Sequence, residues 1–180
     1  VVPLGLRVDR RARKPEPDQR SPGPLRILCV STIEPRKNHG ALLEASESLW
    51  AAGKRFELEL IGMLNRGFPS DIPQRIESLR AAGRPIQWSG GVSDESLAQA
   101  YSRAALTVYP SLCEGFGLPV LESLFHHRPC LTTTGGALAE VAPGGGCVVA
   151  DPDAGSLAEV LGELIASPDH LAQLRTEATA

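Results

Sequence analysis

The chain of 180 residues is 42% hydrophobic and 22% charged, which is typical of a single globular domain that buries a core without disulfides or metals. Its formal net charge of −3 argues against a nucleic-acid-binding protein that relies on a basic surface. No apolar run approaches the roughly 20 residues of a membrane-spanning helix. The sequence opens at Val1 without a signal-peptide pattern, and we therefore expect the domain to act with a preceding part of the protein.

The first 26 residues differ in composition from the rest. They hold seven of the 18 Lys and Arg residues against three acids, and they contain five prolines. Because repeated prolines exclude a long helix or a central strand, residues 1–24 are predicted to be a solvated linker. The clustered positive charge also allows a contact with an anionic membrane surface.

From residue 25 onward, strand and helix patterns alternate along the chain. Strands are predicted at 25–31, 56–62, 86–89, 105–109, 129–133 and 147–149. Helices are predicted at 39–52, 71–82, 94–103, 117–127, from 153 or 155 to 166, and from 168 onward, with a short helical turn at 137–141. This alternation predicts an α/β domain with a doubly wound, Rossmann-like parallel sheet of about six strands. In such sheets ligands bind outside the carboxyl ends of the strands, so the loops that follow the strands are the candidate site.

The loop after the fourth predicted strand is the richest in chemistry. Its glycines, Gly115 and Gly117, allow backbone amides to approach a ligand closely, and the following helix directs free amides to the same place. Glu114 and Glu122 are predicted to point into one cleft, where carboxylates would accept hydrogen bonds from vicinal sugar hydroxyls. The alternative is a glycine turn with a surface glutamate that stabilises a helix N-terminus.

Two further loops contain candidate groups. Arg36 and Lys37 follow the first strand, and a forked donor beside a point charge matches a diphosphate. Solvated loop cations are the alternative for this pair. Gly135 and Gly136 follow the fifth strand, where a tight turn into a short helix is the alternative to a ligand contact.

The four cysteines lie far apart and form no C-x-x-C pair: Cys29, Cys113, Cys130 and Cys147. This spacing predicts free thiols in a reducing compartment and therefore a cytoplasmic protein. A zinc site of Cys130 with His126 and His127 is the alternative, although it lacks a second cluster of ligands.

Several motifs together resemble one enzyme family. Glu114-Gly-Phe-Gly-Leu-Pro-Val-Leu-Glu122 resembles the Glu-x7-Glu motif of retaining glycosyltransferases of family 4 and its group 1 relatives. Val30-Ser-Thr-Ile-Glu-Pro-Arg-Lys-Asn-His39 resembles the opening strand and phosphate loop of that family's donor domain. Gly91-Val-Ser-Asp-Glu95 with the later Tyr101 resembles the segment around the donor base. Turns of the family fall at three further places: Gly135-Gly136, Glu140-Val141 and Asp151-Pro152.

The resemblance implies a two-domain GT-B architecture. Residues 25–180 would be the C-terminal domain that binds a nucleotide sugar, and residues 1–24 the linker from an N-terminal acceptor-binding domain. The family pattern gives the chain's residues the following roles: diphosphate binding for Arg36 and Lys37, sugar binding for Glu114 with the amides of Phe116 and Gly117, a phosphate contact for Leu118, ribose binding for Glu122, and a base contact for Val92. Many relatives have Arg where this chain has Thr32, and Arg36 would replace that charge.

The function implied by the resemblance is sugar transfer, with retention at the anomeric carbon, from a nucleoside-diphosphate sugar to a glycan or lipid-linked acceptor. Glu114, Lys37 and Arg36 would carry the reaction, with no metal and no cofactor beyond the donor substrate. The Glu-Pro-Arg-Lys-Asn stretch resembles mannosyltransferases of polysaccharide and lipopolysaccharide assembly, which favours GDP-mannose over UDP-sugars. A non-catalytic nucleotide-binding or interaction module, a GT-B phosphorylase and a glycosidase with a Glu114/Glu122 dyad are the alternatives.

Overall fold

A computed structural model describes residues 23–135 and 145–179 of the chain. One parallel sheet contains six strands: β1 (Leu25–Val30), β2 (Phe56–Ile61), β3 (Ile86–Ser89), β4 (Leu106–Tyr109), β5 (Cys130–Thr133) and β6 (Cys147–Ala150). The helices are α1 (His39–Ala51), α2 (Ile72–Ala81), α3 (Asp94–Arg103), α4 (Leu118–Phe125), α5 (Ala154–Ala166) and α6 (Pro168–Glu177). None of these helices is long and apolar enough to cross a membrane.

The strand order is β3-β2-β1-β4-β5-β6. The chain winds outward in one direction from β1 to β3 and then returns to the other side of β1 for β4. Loops that leave β1 and β4 therefore diverge, and a crevice opens between them at the carboxyl edge of the sheet. This is the doubly wound α/β fold predicted from the sequence, and the predicted strands and helices agree with the observed ones within about two residues.

The two faces of the sheet bury different helices. On β1, Ile27 and Cys29 face a core that includes side chains of α1, α2, α5 and α6, whereas Leu28 faces α3. Alternate residues of a strand point to opposite faces, so this division follows directly from the sequence of β1. The central strands β4 and β5 are buried at every position, as expected for parallel strands covered on both sides.

Local signals fix where two of the helices begin. The Ser93 side chain accepts a hydrogen bond from the amide of Ser96 at 3.2 Å at the start of α3, and Asp153 accepts from Ser156 at 2.9 Å at the start of α5. The helical turn predicted at 137–141 lies outside the described residues, as do Gly136 and almost all of the predicted linker.

Candidate functional site

A cleft of about 520 Å³ lies at the carboxyl edge of the sheet, between the loops that follow β1 and β4. It is lined by Arg36, Lys37 and the segment from Cys113 to Pro119. The backbone joins the two loops, because the amide of Leu112 donates to the carbonyl of Arg36 at 2.9 Å. The fold therefore brings the predicted cations to the predicted glycine-rich loop.

Arg36 and Lys37 lie on a short 3-10 turn, Pro35–Lys37, that points them into the cleft. The Lys37 ammonium is buried and pairs with Glu114 Oε1. Arg36 donates from Nη1 to Glu114 Oε2 and to the carbonyl of Cys113, each at 3.0 Å. Two cations from one loop thus meet one carboxylate from the other.

Glu114 is only 8% exposed and has three donors. Besides both cations, Ser111 Oγ donates to its Oε1 at 2.8 Å. Burial alone would raise the pKa of Glu114, but the hydrogen bonds from Lys37, Ser111 and Arg36 outweigh burial and lower that pKa. The carboxylate is therefore ionised at neutral pH and partly neutralises the two cations.

Arg36 also pairs with a second acid. Its Nη2 lies 2.8 Å from Glu34 Oε1, and Glu34 Oε2 accepts from Asn65 at 3.0 Å. This contact ties the loop after β2 to the cleft. The positive charges of Arg36 and Lys37 are balanced in the free domain by two carboxylates, those of Glu34 and Glu114.

Asn38 fixes the cation loop to two other loops. Its side-chain amide donates to the carbonyls of Pro110, at 3.1 Å, and Pro152, at 2.8 Å. Its backbone has φ of 54°, in the left-handed region that Asn tolerates better than most residues. Asn38 had no predicted role, although an Asn between a cation pair and a helix is a signal for a left-handed turn.

Gly135 supports the glycine-rich loop from the end of β5. Its carbonyl accepts from the amide of Glu114 at 3.2 Å. A Cβ at this position would lie 2.3 Å from the carbonyl oxygen of Leu112, which excludes any side chain. A glycine turn was predicted at Gly135, but the contact of its backbone with the Glu114 loop was not.

His39 is a buried group beside the cleft. Its Nε2 lies 3.0 Å from Ser31 Oγ, and its Nδ1 has no partner among the described residues. Burial, together with the nearby charge of Lys37, lowers the pKa of His39 to about 4. The imidazole is therefore neutral at physiological pH.

Helix α4 begins at the cleft. Gly117, with φ of 62°, precedes its first turn, and Pro119 occupies an early position where no amide is needed. Phe116 is 80% exposed at the mouth of the cleft. The predicted residues Phe116, Gly117 and Leu118 all line this cleft.

Two predicted residues, Glu122 and Val92, are not among those that line this cleft. Glu122 is on α4 but does not line the cleft, and its Oε2 accepts from the hydroxyl of Tyr101 at 3.3 Å. Burial raises the pKa of Glu122, and the Tyr101 hydrogen bond partly offsets this rise. Val92 is 36% exposed on the loop after β3. A donor site that contains both Glu114 and Glu122 stays a prediction.

The cysteines are free thiols in the structure, with Cys29 and Cys130 buried and Cys113 exposed. Among residues 23–135 and 145–179, no group of three or more His, Cys, Asp or Glu side chains could hold a metal ion. The ring of His126 stacks on Tyr101. The zinc alternative therefore has no observation in its favour.

Comparison with known proteins places the chain in a family. The model of the family described as "Glycosyl transferases group 1" matches residues 24–167. The chain belongs to this family. O-antigen chain mannosyltransferase B of Escherichia coli is 37% identical over 127 residues, which are 70% of this chain and 32% of that protein.

Two further known proteins match most of this chain. An MMP alpha-(1->4)-mannosyltransferase of Mycolicibacterium hassiacum is 33% identical over 178 residues, 97% of this chain and 41% of that protein. Sucrose-phosphate synthase from Thermosynechococcus elongatus matches the structure with a TM-score of 0.72 and 26% identity, over 86% of this chain and 39% of that one. The predicted family and the Rossmann-like fold of GT-B glycosyltransferases are thus confirmed. The chain spans only 12% to 41% of the curated relatives it matches.

Proposed function

We propose that this group 1 domain is the donor-binding half of a retaining glycosyltransferase that uses a nucleoside-diphosphate sugar. The observation that carries the proposal is the convergence of Arg36 and Lys37 with Glu114 at the beginning of α4. Two cations and a helix N-terminus are suited to a diphosphate, and a carboxylate beside them is suited to sugar hydroxyls. Residues 1–24 would lead from an acceptor-binding half.

The proposed mechanism is mainly electrostatic. As the bond between sugar and diphosphate breaks, Arg36, Lys37 and the amides at the start of α4 would neutralise the charge on the leaving group. Glu114 would position the sugar and stabilise positive charge that develops on the ring. In the free domain Glu114 is paired with both cations. The diphosphate would have to replace Glu114 as their partner, and the carboxylate would then be free to bind the sugar.

Calorimetry tests the donor site directly. The chain should bind GDP, UDP or ADP without added metal, and Arg36→Ala/Lys37→Ala should weaken the best ligand roughly 100-fold, since two charge-assisted contacts are lost. Lys54→Ala/Arg55→Ala, which removes the same charges at the opposite edge, should bind as the wild type does. Absence of binding at millimolar concentration with the fold intact, or equal affinity in both double variants, would exclude a donor site here.

Glu114→Gln separates the diphosphate contact from the sugar contact. Removing the competing carboxylate should leave GDP binding unchanged or tighter, since the cations are freed. The same change should remove the additional affinity of the nucleotide sugar over the nucleotide, because an amide is a weaker acceptor for hydroxyls than a carboxylate. A Glu114→Gln variant that lost GDP and kept the preference for the nucleotide sugar would contradict the proposed roles.

GDP-mannose is our first candidate for the donor, with UDP-sugars second. The support is the named activity of the relatives, which include several mannosyltransferases of Escherichia coli, together with the Glu-Pro-Arg-Lys-Asn stretch. A glycan or lipid-linked acceptor would bind in the other half, so this chain alone should bind donor without turnover. A competition panel of nucleotides and nucleotide sugars identifies the donor.

Val92 is the proposed contact for the base, and Glu122 for the ribose.

A glycosidase dyad gains no support, because Glu122 does not line the cleft that holds Glu114. A phosphorylase would use the same cleft with inorganic phosphate. Phosphate-dependent sugar release by a protein that contains both halves would therefore replace the transferase proposal.

We propose a cytoplasmic location at the inner face of a membrane. The free cysteines fit a reducing compartment, and the cationic residues 1–24 fit an anionic lipid surface. Co-sedimentation with anionic vesicles, but not with zwitterionic ones, is the expected result. Equal binding to both would remove the electrostatic basis of the proposal.

A further inference from the structure

Two buried tyrosine hydroxyls form a chain that ends on Glu122. The hydroxyl of Tyr101, on α3, lies 3.0 Å from the hydroxyl of Tyr109, on β4, and donates to Glu122 Oε2 across 3.3 Å. Tyr101 and Tyr109 are 0% and 1% exposed. Helix α4 therefore receives this hydrogen bond from a chain that two other elements hold in place.

The direction of the chain follows from the number of protons. An ionised carboxylate only accepts, so Tyr101 must give its single hydroxyl proton to Glu122. Tyr109 must then donate its own proton to the oxygen of Tyr101. Both hydroxyls thus point toward Glu122 Oε2, while no described residue donates to its Oε1.

The position of the Tyr101 hydroxyl does not depend on a ligand. Its ring stacks on the ring of His126, with centroids 4.2 Å apart and planes 9° from parallel. The other side of α3 packs against β1 and β2 through Leu28 and Ile61. A rigid donor therefore holds one oxygen of the half-buried Glu122 carboxylate, while the other oxygen has no donor among the described residues.

We propose that Tyr101, supported by Tyr109, is a positioning residue that orients Glu122 toward the ribose of the donor, so that the site prefers ribonucleotides to 2′-deoxyribonucleotides. The inference rests on the proposed function, because it requires a donor nucleotide at this edge of the sheet. A glutamate free to rotate would lose side-chain entropy on contact with the vicinal hydroxyls, and the tyrosine chain removes part of that cost in advance.

The test is the ratio of dissociation constants for 2′-deoxy-GDP and GDP. The wild-type chain should favour GDP about tenfold or more, as expected for a hydrogen bond to a charged group. Glu122→Ala should bring the ratio close to one. Tyr101→Phe, which keeps the ring and removes only the hydroxyl, should reduce the preference to about threefold or less, and Tyr109→Phe should fall between Tyr101→Phe and the wild type.

Two controls separate the possible failures. Ser102→Ala removes a hydroxyl from the exposed side of the same helix and should leave the ratio unchanged. Pyrophosphate should bind all variants equally, because Arg36 and Lys37 are untouched. If the wild type binds neither nucleotide nor pyrophosphate, the proposed function fails together with this inference. If the wild type binds GDP without preferring it to 2′-deoxy-GDP, or if Glu122→Ala keeps the wild-type ratio, the ribose contact proposed for Glu122 fails and this inference fails with it. If Glu122→Ala loses the preference but Tyr101→Phe keeps it, only the positioning role is overturned.

Thermal melting of each variant shows whether it folds. If Tyr101→Phe does not fold, Tyr109→Phe decides the matter, because it removes the donor one step farther from Glu122. An unchanged ratio in a folded Tyr109→Phe would then overturn the proposed chain. A purely structural role for the tyrosines would lower the melting temperature and leave the ratio as in the wild type.

Discussion

The two edges of the sheet carry similar cations in very different surroundings. At the carboxyl edge, Arg36 and Lys37 meet Glu114, which lies 77 or 78 residues away in the sequence. At the amino edge, a larger cleft of about 960 Å³ is lined by three cations that form no ion pair with any described residue: Lys54, Arg55 and Arg84.

Cleft size does not distinguish the candidate site, because the larger cleft lies at the amino edge. The cations of the amino edge follow the ends of α1 and α2, where positive charge is stabilised by the helix dipole without any ligand. Those of the carboxyl edge are held in place by contacts between loops that are distant in sequence. Convergence from separate strands, together with burial of Lys37 and Glu114, distinguishes the carboxyl edge as the candidate site.

The largest expected effect is that of Gly135→Ala on the carboxyl edge. The new Cβ would lie 2.3 Å from the backbone oxygen of Leu112, so the Glu114 loop must move. We expect a loss of about 3 kcal/mol or more in the free energy of unfolding and loss of nucleotide binding. Urea denaturation and calorimetry measure the two effects.

Gly115→Ala is the matched control for that change. It adds the same methyl group to the Glu114 loop that Gly135 supports, but nothing lies within 4 Å of the new Cβ. Its unfolding free energy should stay close to that of the wild type. Equal destabilisation of the two variants would show that the loop, and not the close contact of Gly135, accounts for the loss.

Asn38→Asp should have the next largest effect. The substitution keeps the shape and the tolerance of the left-handed backbone, but it replaces an amide that donates to Pro110 and Pro152 with a carboxylate that faces the same two carbonyls. A loss of about 2–3 kcal/mol in unfolding free energy is expected. Asn38→Gly, which removes the side chain without the repulsion, should cost less, and the opposite order would contradict the assigned contacts.

The local features of the carboxyl edge could be predicted from the sequence. The strands, the helices and the cation and glutamate loops were predictable, because periodicity and glycine positions are local signals. The grouping of Arg36, Lys37 and Glu114 at one edge followed from the parallel topology. The resemblance then supplied roles for residues that composition alone left ambiguous.

The missed contacts were those that depend on distances between segments. The close approach of Gly135 to Leu112 and the reach of Asn38 to Pro152 depend on how β1, β4, β5 and β6 are placed side by side. A local sequence pattern cannot predict distances between segments that are far apart in the chain. The hydrogen bond from Tyr101 to Glu122 was missed for the same reason, since seven intervening residues fix the sequence spacing of Glu122 from Glu114 but not the direction of either side chain.

His39 gives a pH dependence to the stability of the carboxyl edge. The folded state resists protonation because burial lowers the pKa of His39 to about 4, whereas histidine in the unfolded chain has its ordinary pKa of 6.5. Stability from this group is therefore fully present above pH 6.5 and decreases as the pH falls. The expected loss between pH 7 and pH 5 is about 2 kcal/mol.

Variants of two histidines isolate that contribution. His39→Gln cannot titrate, so its unfolding free energy should change less between pH 7 and pH 5, even if the variant is less stable throughout. His170→Gln, on the exposed side of α6 at the other end of the chain, should retain the wild-type slope. A steep slope that persists in His39→Gln would assign the pH dependence to other groups.

The smallest effects are expected at the amino edge. Lys54, Arg55 and Arg84 form no ion pair with a described residue, so Lys54→Ala or Arg84→Ala should each change the unfolding free energy by about 0.5 kcal/mol or less, mainly through the helix dipole. GDP affinity should be the same as in the wild type, because these cations lie across the sheet from Lys37. Charge-reversing Lys54→Glu should likewise leave GDP binding intact. A loss of GDP affinity in any of these variants would mean that the edge with the larger cleft also binds nucleotide, and the distinction between the two edges would fail.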